Sequence, residues 1–443
     1  MKIVLVRCNW TTRRMILPPL GLGYVSAAVK RAGHDCVIRD SWLLNESPLE
    51  SANRILREHD NIAIIGVQVY QNTIEWTREF FHWLRHRTDA RLIIGGPIPT
   101  ALGEEARLAT RADCAVQGEF ETDIAEHLDA IMNGATLIEW KSWLDVNEHP
   151  YPDWDAMPLP PYWPYIYSAG APVRGKRVGF IQRMRGCPNN CTFCASGGII
   201  MGKKVRLRNL SNVMKELEFL LSRWNIDELW FQDDDVTIKY DDAINLFRAL
   251  VPYKLHVRLQ MGIRTDHLTD DMIYWMKKAG VYYAGIGIES GVPRVLTQIK
   301  KGLHQQKVIQ GIEKLDKAGI QVMGFFMFGL PTETTTDMDQ TIQWALKTKL
   351  HHAQFAVYIP YPGSEDYRNN YQPTIPQAEL MEIQKRATMR FYLRPRIILS
   401  ILRHIKWSQV KAIIHHDWVW RGLLGGTEKI MKHRFLRKWV TGK

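Results

Sequence analysis

Short apolar runs alternate with amphipathic stretches in two separate blocks of the 443-residue chain, and this alternation constrains the fold more than any other feature. In the first block, residues 1–140, five runs have the length of buried strands. Strands that alternate with helices build parallel sheets with helices on both faces. The first block therefore predicts a doubly wound, Rossmann-like α/β domain. Its predicted strands are residues 3–6, 35–38, 62–69, 92–94 and 114–116.

A second alternating block, residues 176–370, lies beyond a proline- and aromatic-rich segment, residues 141–175. Proline cannot continue a helix or a central strand, so this segment predicts a linker. Residues 371–443 are predicted to form a basic, helical C-terminal region. The chain is long enough for two or three domains, each with its own core. The predicted strands of the second block are residues 178–182, 228–232, 257–263, 283–291, 322–328 and 355–359.

Three cysteines, Cys187, Cys191 and Cys194, share a short loop directly after the first strand of the second block. Their thiolates can ligate three corners of a cubane iron-sulfur cluster, which leaves one iron open. Zinc is the competing ligand, but a structural zinc site usually has four Cys or His ligands, and no second CxxC pair occurs. A disulfide fits less well, because an odd cluster of three thiols without a recognisable export signal predicts a reducing compartment.

The spacing CxxxCxxC, with Phe193 before the last cysteine, resembles the radical S-adenosylmethionine (SAM) superfamily. The resemblance implies a partial (β/α)6 barrel with a 4Fe-4S cluster on Cys187, Cys191 and Cys194. The open iron would hold the methionine part of SAM, and Phe193 would lie against the adenine. One electron from the cluster then cleaves SAM to methionine and a 5′-deoxyadenosyl radical, which abstracts hydrogen from carbon.

The same resemblance places SAM-binding residues at the ends of later strands. Asp234 would contact the SAM ammonium group, and Asp233 is the second candidate for this contact. The alternative is that these carboxylates form a solvated turn without a ligand. Arg264 would pair with the SAM carboxylate or form an ordinary salt bridge with a nearby acid. Glu289 and Ser290 would approach the ribose and methionine parts. The sequence indicates no acid–base catalytic residue.

The glycine-containing turns of the first block resemble the cobalamin-binding domain found in front of many radical SAM domains. The resemblance implies a corrinoid across the strand ends, without the cobalt-ligating histidine, because the Asp-x-His-x-x-Gly motif is absent. A dinucleotide is the weaker alternative, since Gly21-Leu22-Gly23 lacks the third glycine. The implied cobalamin contacts are Val69, Tyr70, Gln71, Asn72, Thr73, Gly95, Gly96, Pro97, Gly118 and Glu119.

Cys8, Cys36 and Cys114 raise the alternative of a second cluster, as methylthiotransferases have in an N-terminal domain. Cys36 and Cys114 fall inside predicted strands, where a small buried thiol is common. We therefore expect these three thiols to be structural.

The net charge of +12 is concentrated at the C-terminus. Residues 385–443 carry fifteen Lys and Arg against two acids, while the rest of the chain is nearly neutral. Ile397, Ile398, Ile401, Leu402 and Ile405 recur at helical spacing and predict a basic amphipathic helix. This helix either packs as a lid on the second domain or contacts an anionic membrane; nucleic acid is the least favoured partner. The tryptophans that favour a membrane are Trp407, Trp418, Trp420 and Trp439.

These features together favour a cobalamin-dependent radical SAM methyltransferase that acts on an unactivated carbon of a small-molecule or lipid substrate. An oxidative cyclase or rearrangement enzyme of a tetrapyrrole or natural-product pathway is the alternative, and a non-catalytic corrinoid or cluster sensor is the third. The reductive step requires an electron donor such as flavodoxin or ferredoxin. The expected location is cytoplasmic, with the tail as an option for peripheral contact with the inner membrane face.

Overall fold

The structure, a computed structural model, describes residues 1–10, 15–139, 141–166 and 173–404. The first block forms a six-stranded parallel sheet of order β2-β1-β3-β4-β5-β6, which confirms the predicted doubly wound domain. All five predicted strands are present; the short sixth was missed. The strands are β1 Lys2–Arg7, β2 Asp35–Asp40, β3 Ile62–Gln68, β4 Arg91–Gly95, β5 Cys114–Val116 and β6 Leu137–Ile138.

Side chains of this sheet pack in two layers because successive residues of a strand point to opposite faces. Val4 and Val6 of β1 face one core, with Phe80 from the helices on that side. Ile3 and Leu5 face the other core. The helices of this domain are α1 Leu20–Arg31, α2 Ser41–Leu44, α3 Pro48–Glu58, α4 Ile74–Leu84, α5 Pro97–Leu102, α6 Glu104–Thr110 and α7 Ile124–Met132.

The second block forms another all-parallel six-stranded sheet, of order β7-β10-β11-β12-β13-β14, with helices outside it. This arrangement confirms the partial (β/α)6 barrel. A short antiparallel pair, β8–β9, was not predicted, because two-residue strands leave no periodic signal. The strands are β7 Val178–Ile181, β8 Met184–Arg185, β9 Arg206–Leu207, β10 Glu228–Phe231, β11 His256–Ile263, β12 Val281–Glu289, β13 Gln321–Phe328 and β14 His352–Val357.

The outer helices of the barrel present one apolar face each to the strands. Leu217, Phe247, Met276, Ile312 and Ile342 each come from a different helix and share one core with the strand side chains. The helices are α8 Trp163–Ile166, α9 Leu210–Trp224, α10 Tyr240–Leu250, α11 Asp270–Lys278, α12 Pro293–Gln298, α13 Gln305–Lys317, α14 Thr335–Lys347, α15 Glu365–Arg368, α16 Gln377–Tyr392 and α17 Pro395–His404.

The C-terminal region begins as a covering layer on the barrel. Helix α16 buries Ile383 and Phe391 in the barrel core, and the Gln384 amide donates to the Phe355 carbonyl of β14 at 2.7 Å. Ile397 of α17 is also buried there. The lid interpretation therefore fits this part of the tail. Residues 405–443, with all four tail tryptophans, lie outside the described residues, among which no helix is long and apolar enough to cross a membrane.

Candidate active site at the cysteine loop

The cysteine loop is the connection between β8 and β9, at the carboxyl end of β7. Its three thiols are free and half-buried. The Asn189 amide donates to the Cys187 sulfur at 3.2 Å. Burial raises the pKa of the Cys194 thiol, while the backbone N–H groups of Gly197 and Ser196 lower it. Donors aimed at a sulfur favour its thiolate, which is the form that binds metal.

Glycine is required where the chain passes close to itself in this loop. Gly186 has φ +95°, and a Cβ there would lie 2.2 Å from the Lys204 carbonyl oxygen. A Cβ on Gly197 would lie 2.9 Å from the Cys187 carbonyl oxygen. The loop is therefore closed on itself by main-chain contacts that no other residue allows.

The three thiols suit an iron-sulfur cluster better than a single metal ion. Cys187 lies close enough to Cys191 and Cys194 for its charge to raise the pKa of both thiols. In the described part of the chain, however, no three His, Cys, Asp or Glu side chains converge on one metal ion. A cubane takes one thiolate per iron, so its ligands stand apart, whereas zinc ligands meet at one point. A cavity of about 290 Å³ adjoins Cys191 and Cys194 and leaves room there.

Three carboxylates follow β10, and each has a partner. The Asp233 carboxylate accepts the backbone N–H groups of Arg183, at 2.8 Å, and Met184. It therefore holds the turn before the cysteine loop. Asp234 accepts the Ser196 hydroxyl at 2.9 Å, directly beside Cys194. Asp233 and Asp235 are buried, so a solvated turn does not describe them, whereas Asp234 is half-buried beside the cysteine loop.

Burial raises the pKa of Asp233 from 3.8 to about 7, although its two backbone donors oppose the shift. As the pH rises from about 4 to about 7, the folded protein still binds a proton that the unfolded chain has lost, so the free energy of unfolding falls. We expect Asp233→Asn to flatten this slope by up to about 1 kcal/mol per pH unit. Urea unfolding at pH 5.5 and pH 7 measures it, with exposed Asp241→Asn as the control. Equal slopes in wild type and Asp233→Asn would contradict the expectation.

The end of β12 supplies a second charged group next to the loop. Glu289, at φ +64°, pairs with Lys301 at 2.8 Å, and the Lys301 ammonium lies 5.6 Å from the centre of the Phe193 ring. The Ser290 hydroxyl is buried against Thr341 at 3.1 Å. Glu289 thus lies nearer the cysteine loop, while Ser290 has a packing partner of its own.

Arg264 shows the ordinary salt bridge that the sequence left open as an alternative. Its guanidinium pairs with Asp266 at 2.7 Å and donates to the Lys301 carbonyl at 2.9 Å. These two bonds engage the Arg264 guanidinium and tie it to the turn at Lys301.

Phe193 packs against the apolar cluster that contains Leu330 and Tyr358.

The strand ends of the first domain form a crevice with a backbone floor. The Val69 N–H donates to the Gly95 carbonyl at 2.9 Å, and the Gly118 N–H donates to the Thr100 hydroxyl at 3.1 Å. A Cβ on Gly95 would meet nothing within 4 Å. The loops are therefore tied together, and the open space at Gly95 leaves the backbone there accessible to a ligand such as a corrinoid.

The other residues of the crevice differ in what they can offer a ligand. Gly96, at φ +100°, turns the chain into Pro97 at the start of α5. Gln71 and Asn72 are exposed, whereas Thr73 is fully buried and its hydroxyl donates to the Tyr70 carbonyl at 3.1 Å. Thr73 therefore shapes the loop, and the exposed pair is free to face a ligand.

The side chain of Glu119 does not face the crevice, so it does not make the direct cobalamin contact that the resemblance implied. One carboxylate oxygen accepts Arg185 at 2.8 Å, and the other accepts Arg206 at 2.6 Å and the Leu144 N–H at 2.8 Å. These bonds occupy the carboxylate. Only the main chain of Glu119 remains in the predicted cobalamin contact.

The two candidate binding regions share a wall. Helix α5 of the first domain contacts the turn that follows Cys194. A Cβ on Gly198 in that turn would lie 2.8 Å from the Gly363 carbonyl oxygen of the barrel, and one on Gly363 would lie 3.5 Å from Ala101 of α5. The crevice and the cysteine loop are thus neighbours, with small residues at the contact.

Family models agree with this arrangement. The model described as Radical SAM superfamily matches residues 181–345, and the model described as B12 binding domain matches residues 6–128. The chain belongs to the radical SAM superfamily, in the group that carries a cobalamin-binding domain. Membership in this group implies a 4Fe-4S cluster, SAM and cobalamin as cofactors, and the geometry of the cysteine loop and the crevice fits them.

Named relatives of this radical SAM protein include methyltransferases and a cyclase. It is 27% identical to the uncharacterized methyltransferase PH0819 of Pyrococcus horikoshii, over 92% of this chain and 93% of the relative. It is 26% identical to the cytidylyl-2-hydroxyethylphosphonate methyltransferase of Streptomyces wedmorensis, over 82% of this chain and 80% of that one. The anaerobic magnesium-protoporphyrin IX monomethyl ester cyclase of Rubrivivax gelatinosus is 27% identical over 48% of this chain and 37% of its own.

Solved structures show the same fold. The radical SAM methyltransferase TsrM of Kitasatospora setae, with cobalamin and a 4Fe-4S cluster bound, superposes with a TM-score of 0.66 at 16% identity, over 82% of this chain and 73% of that one. The cobalamin-dependent enzyme OxsB with aqua-cobalamin superposes with a TM-score of 0.64 at 15% identity, over 83% and 55%. Both therefore support the two-domain architecture of this radical SAM protein.

Proposed function

We propose that this protein is a cobalamin-dependent radical SAM methyltransferase that methylates an unactivated carbon of a small-molecule or lipid substrate. The observation that carries the proposal is the shared wall between the crevice and the cysteine loop. When bound, the cluster and SAM supply hydrogen abstraction, and the corrinoid supplies the methyl group. Two reactive groups bound in neighbouring regions can act on the same substrate without its release.

The chain's own residues would hold and orient these groups. We propose that Cys187, Cys191 and Cys194 bind the cluster, and that Asp234 accepts the ammonium group of SAM. Lys301, held by Glu289, keeps a positive charge beside Cys191, and this charge favours the thiolate form of Cys191. These roles rest on the contacts described above.

Anaerobic reconstitution with iron, sulfide and hydroxocobalamin tests the proposal. After desalting, about one corrinoid per chain by visible absorption and one cluster by iron content are expected, with S-adenosylhomocysteine and 5′-deoxyadenosine both released during turnover. A cluster without corrinoid would exclude methyl transfer through cobalamin.

A cyclase or rearrangement enzyme is the second candidate, favoured by the similarity to the Rubrivivax cyclase. Such an enzyme uses the radical but transfers no methyl group. Release of 5′-deoxyadenosine without S-adenosylhomocysteine, in the presence of the substrate, would identify it.

We further propose that an acidic electron-transfer protein such as flavodoxin or ferredoxin delivers its electron at the cavity beside Cys191 and Cys194. The basic side chains Lys203, Lys300 and Arg368 line this cavity, with Glu365 paired to Lys300 at 2.7 Å. A basic rim raises the encounter rate with an acidic partner. Cys191 and Cys194 line the same cavity, so it gives a donor access to the thiols.

Charge reversal tests the rim. We expect the double variant Lys203→Glu/Arg368→Glu to lose roughly tenfold in SAM cleavage driven by reduced flavodoxin at low salt. Cleavage driven by dithionite, a small reductant, should be unchanged. The control is Lys277→Glu, an exposed lysine in the last turn of α11. An equal loss with both reductants would contradict a docking role.

For the tail, we propose peripheral contact of residues 405–443 with anionic lipid. Because α16 and Ile397 belong to the barrel core, truncation after His404 removes the tail without removing the lid. The full chain should cosediment with phosphatidylserine vesicles at low salt, and the truncated chain should not. Cosedimentation that survives truncation would exclude the tail as the anchor.

A further inference from the structure

Glu119 is enclosed by two arginines from the second domain. Arg185 lies on β8 and Arg206 on β9, so both strands of the hairpin reach the loop that follows β5. All three side chains are less than one-tenth exposed. Burial opposes the negative charge, but Arg185 and Arg206 lower the pKa of Glu119 below its ordinary value. The carboxylate is therefore ionised, and each of its oxygens accepts a hydrogen bond from an arginine across the domain boundary.

The hairpin that carries these arginines also closes the cysteine loop. Arg185 precedes Cys187 by two residues, and the Cys187 N–H donates to the Gly202 carbonyl at 2.9 Å. Arg206 donates to the Met201 carbonyl at 3.0 Å. Both ends of the loop are thus fixed by groups that also hold Glu119.

Other contacts keep water away from this cluster of charges. The Tyr24 ring lies 4.7 Å from the Arg185 guanidinium, and the Trp143 ring lies 4.8 Å from that of Arg206. Arg185 also bonds Glu121 at 3.1 Å. Removal of one partner from a buried ion pair leaves a charge without compensation, so these groups act together.

We propose that Glu119 is a positioning residue that couples the corrinoid crevice to the cysteine loop, so that occupation of the crevice stabilises the cluster. The inference rests on the proposed function. We expect the main chain of Gly118 and Glu119 to line the crevice, while the side chain of Glu119 bonds Arg185 and Arg206 at the two ends of the loop. A ligand that orders this turn therefore orders the hairpin and reduces cluster loss.

The rate of iron release to a chelator tests this coupling in the anaerobically reconstituted full chain, with and without hydroxocobalamin. In wild type, hydroxocobalamin should slow iron release about tenfold, within the usual range of coupling between two sites. In Glu119→Gln the rate should no longer depend on hydroxocobalamin. Without hydroxocobalamin, Glu119→Gln should already release iron faster than wild type.

Glu126→Gln is the matched control, because Glu126 forms an exposed pair with Lys141 in the same domain. Arg185→Lys keeps the charge but loses the two-pronged geometry, so it should give an intermediate ratio if Glu119→Gln fails to fold. A purely structural role would lower the melting temperature and leave the ratio at its wild-type value, which would overturn the proposal. If no corrinoid binds to wild type, the proposed function fails, and unchanged corrinoid-free iron release in Glu119→Gln would separately overturn the positioning role.

Discussion

Cys194→Ala is expected to lose the cluster and with it the reductive cleavage of SAM. Three thiolates hold three irons and leave the fourth open for SAM, so two thiolates cannot keep that geometry. We expect the cleavage rate to fall at least about a thousandfold, equivalent to about 4 kcal/mol. Iron content and 5′-deoxyadenosine formation with dithionite measure both effects. The backbone donors at the Cys194 sulfur remain in the variant, so the loss would belong to the thiolate.

Cys114→Ala is the matched control for this experiment. Cys114 is buried in β5, and burial raises the pKa of its thiol to about 11, so it stays protonated. We expect wild-type iron content and cleavage in this variant. Loss of iron from Cys114→Ala would instead revive the second cluster that the sequence left as an alternative.

Gly95→Leu is expected to exclude corrinoid while the protein still folds. The Gly95 Cβ position faces open space, and its φ lies outside the left-handed region, so a larger side chain fits the backbone. It would project above the floor of the crevice, where we expect the corrinoid. Affinity for hydroxocobalamin should fall about a hundredfold, or about 2.8 kcal/mol. Titration followed by visible absorption measures the change.

A graded series separates steric exclusion from misfolding. Gly95→Ala adds one methyl group and should reduce corrinoid affinity less than Gly95→Leu does. The cluster content of both variants should equal that of wild type, since a Cβ at position 95 meets no residue of the cysteine loop within 4 Å. Wild-type corrinoid affinity in Gly95→Leu would place the ligand elsewhere.

The architecture could be predicted from the sequence because buried parallel strands are continuous apolar runs separated by turns. The strands around Ile65 and Val322 are such runs, and both formed close to their predicted bounds. The hairpin β8–β9 could not be predicted, since strands of two residues leave no periodic signal and the partners of Arg185 and Arg206 lie far away in the sequence. The long strands can thus be predicted from the local sequence pattern, whereas the hairpin becomes evident only from tertiary contacts.

Side-chain roles were predictable only where chemistry and chain position coincide. The three cysteines share one loop, so their proximity follows from the sequence alone. The partners of Asp233 and Arg264 depend on how turns pack after folding, and these residues bind the Met184 N–H and Asp266. Lys301 was missed, although its place just after α12 brings it beside Glu289 at the end of β12.

The pairing of Glu119 with Arg185 and Arg206 has a consequence for biogenesis. The acidic residue is made 66 residues before one arginine and 87 before the other. Because N-terminal domains generally fold first during synthesis, the acceptor for both guanidinium groups is in place when the cysteine loop leaves the ribosome. We therefore expect the nascent first domain to act as a template on which the cysteine loop closes.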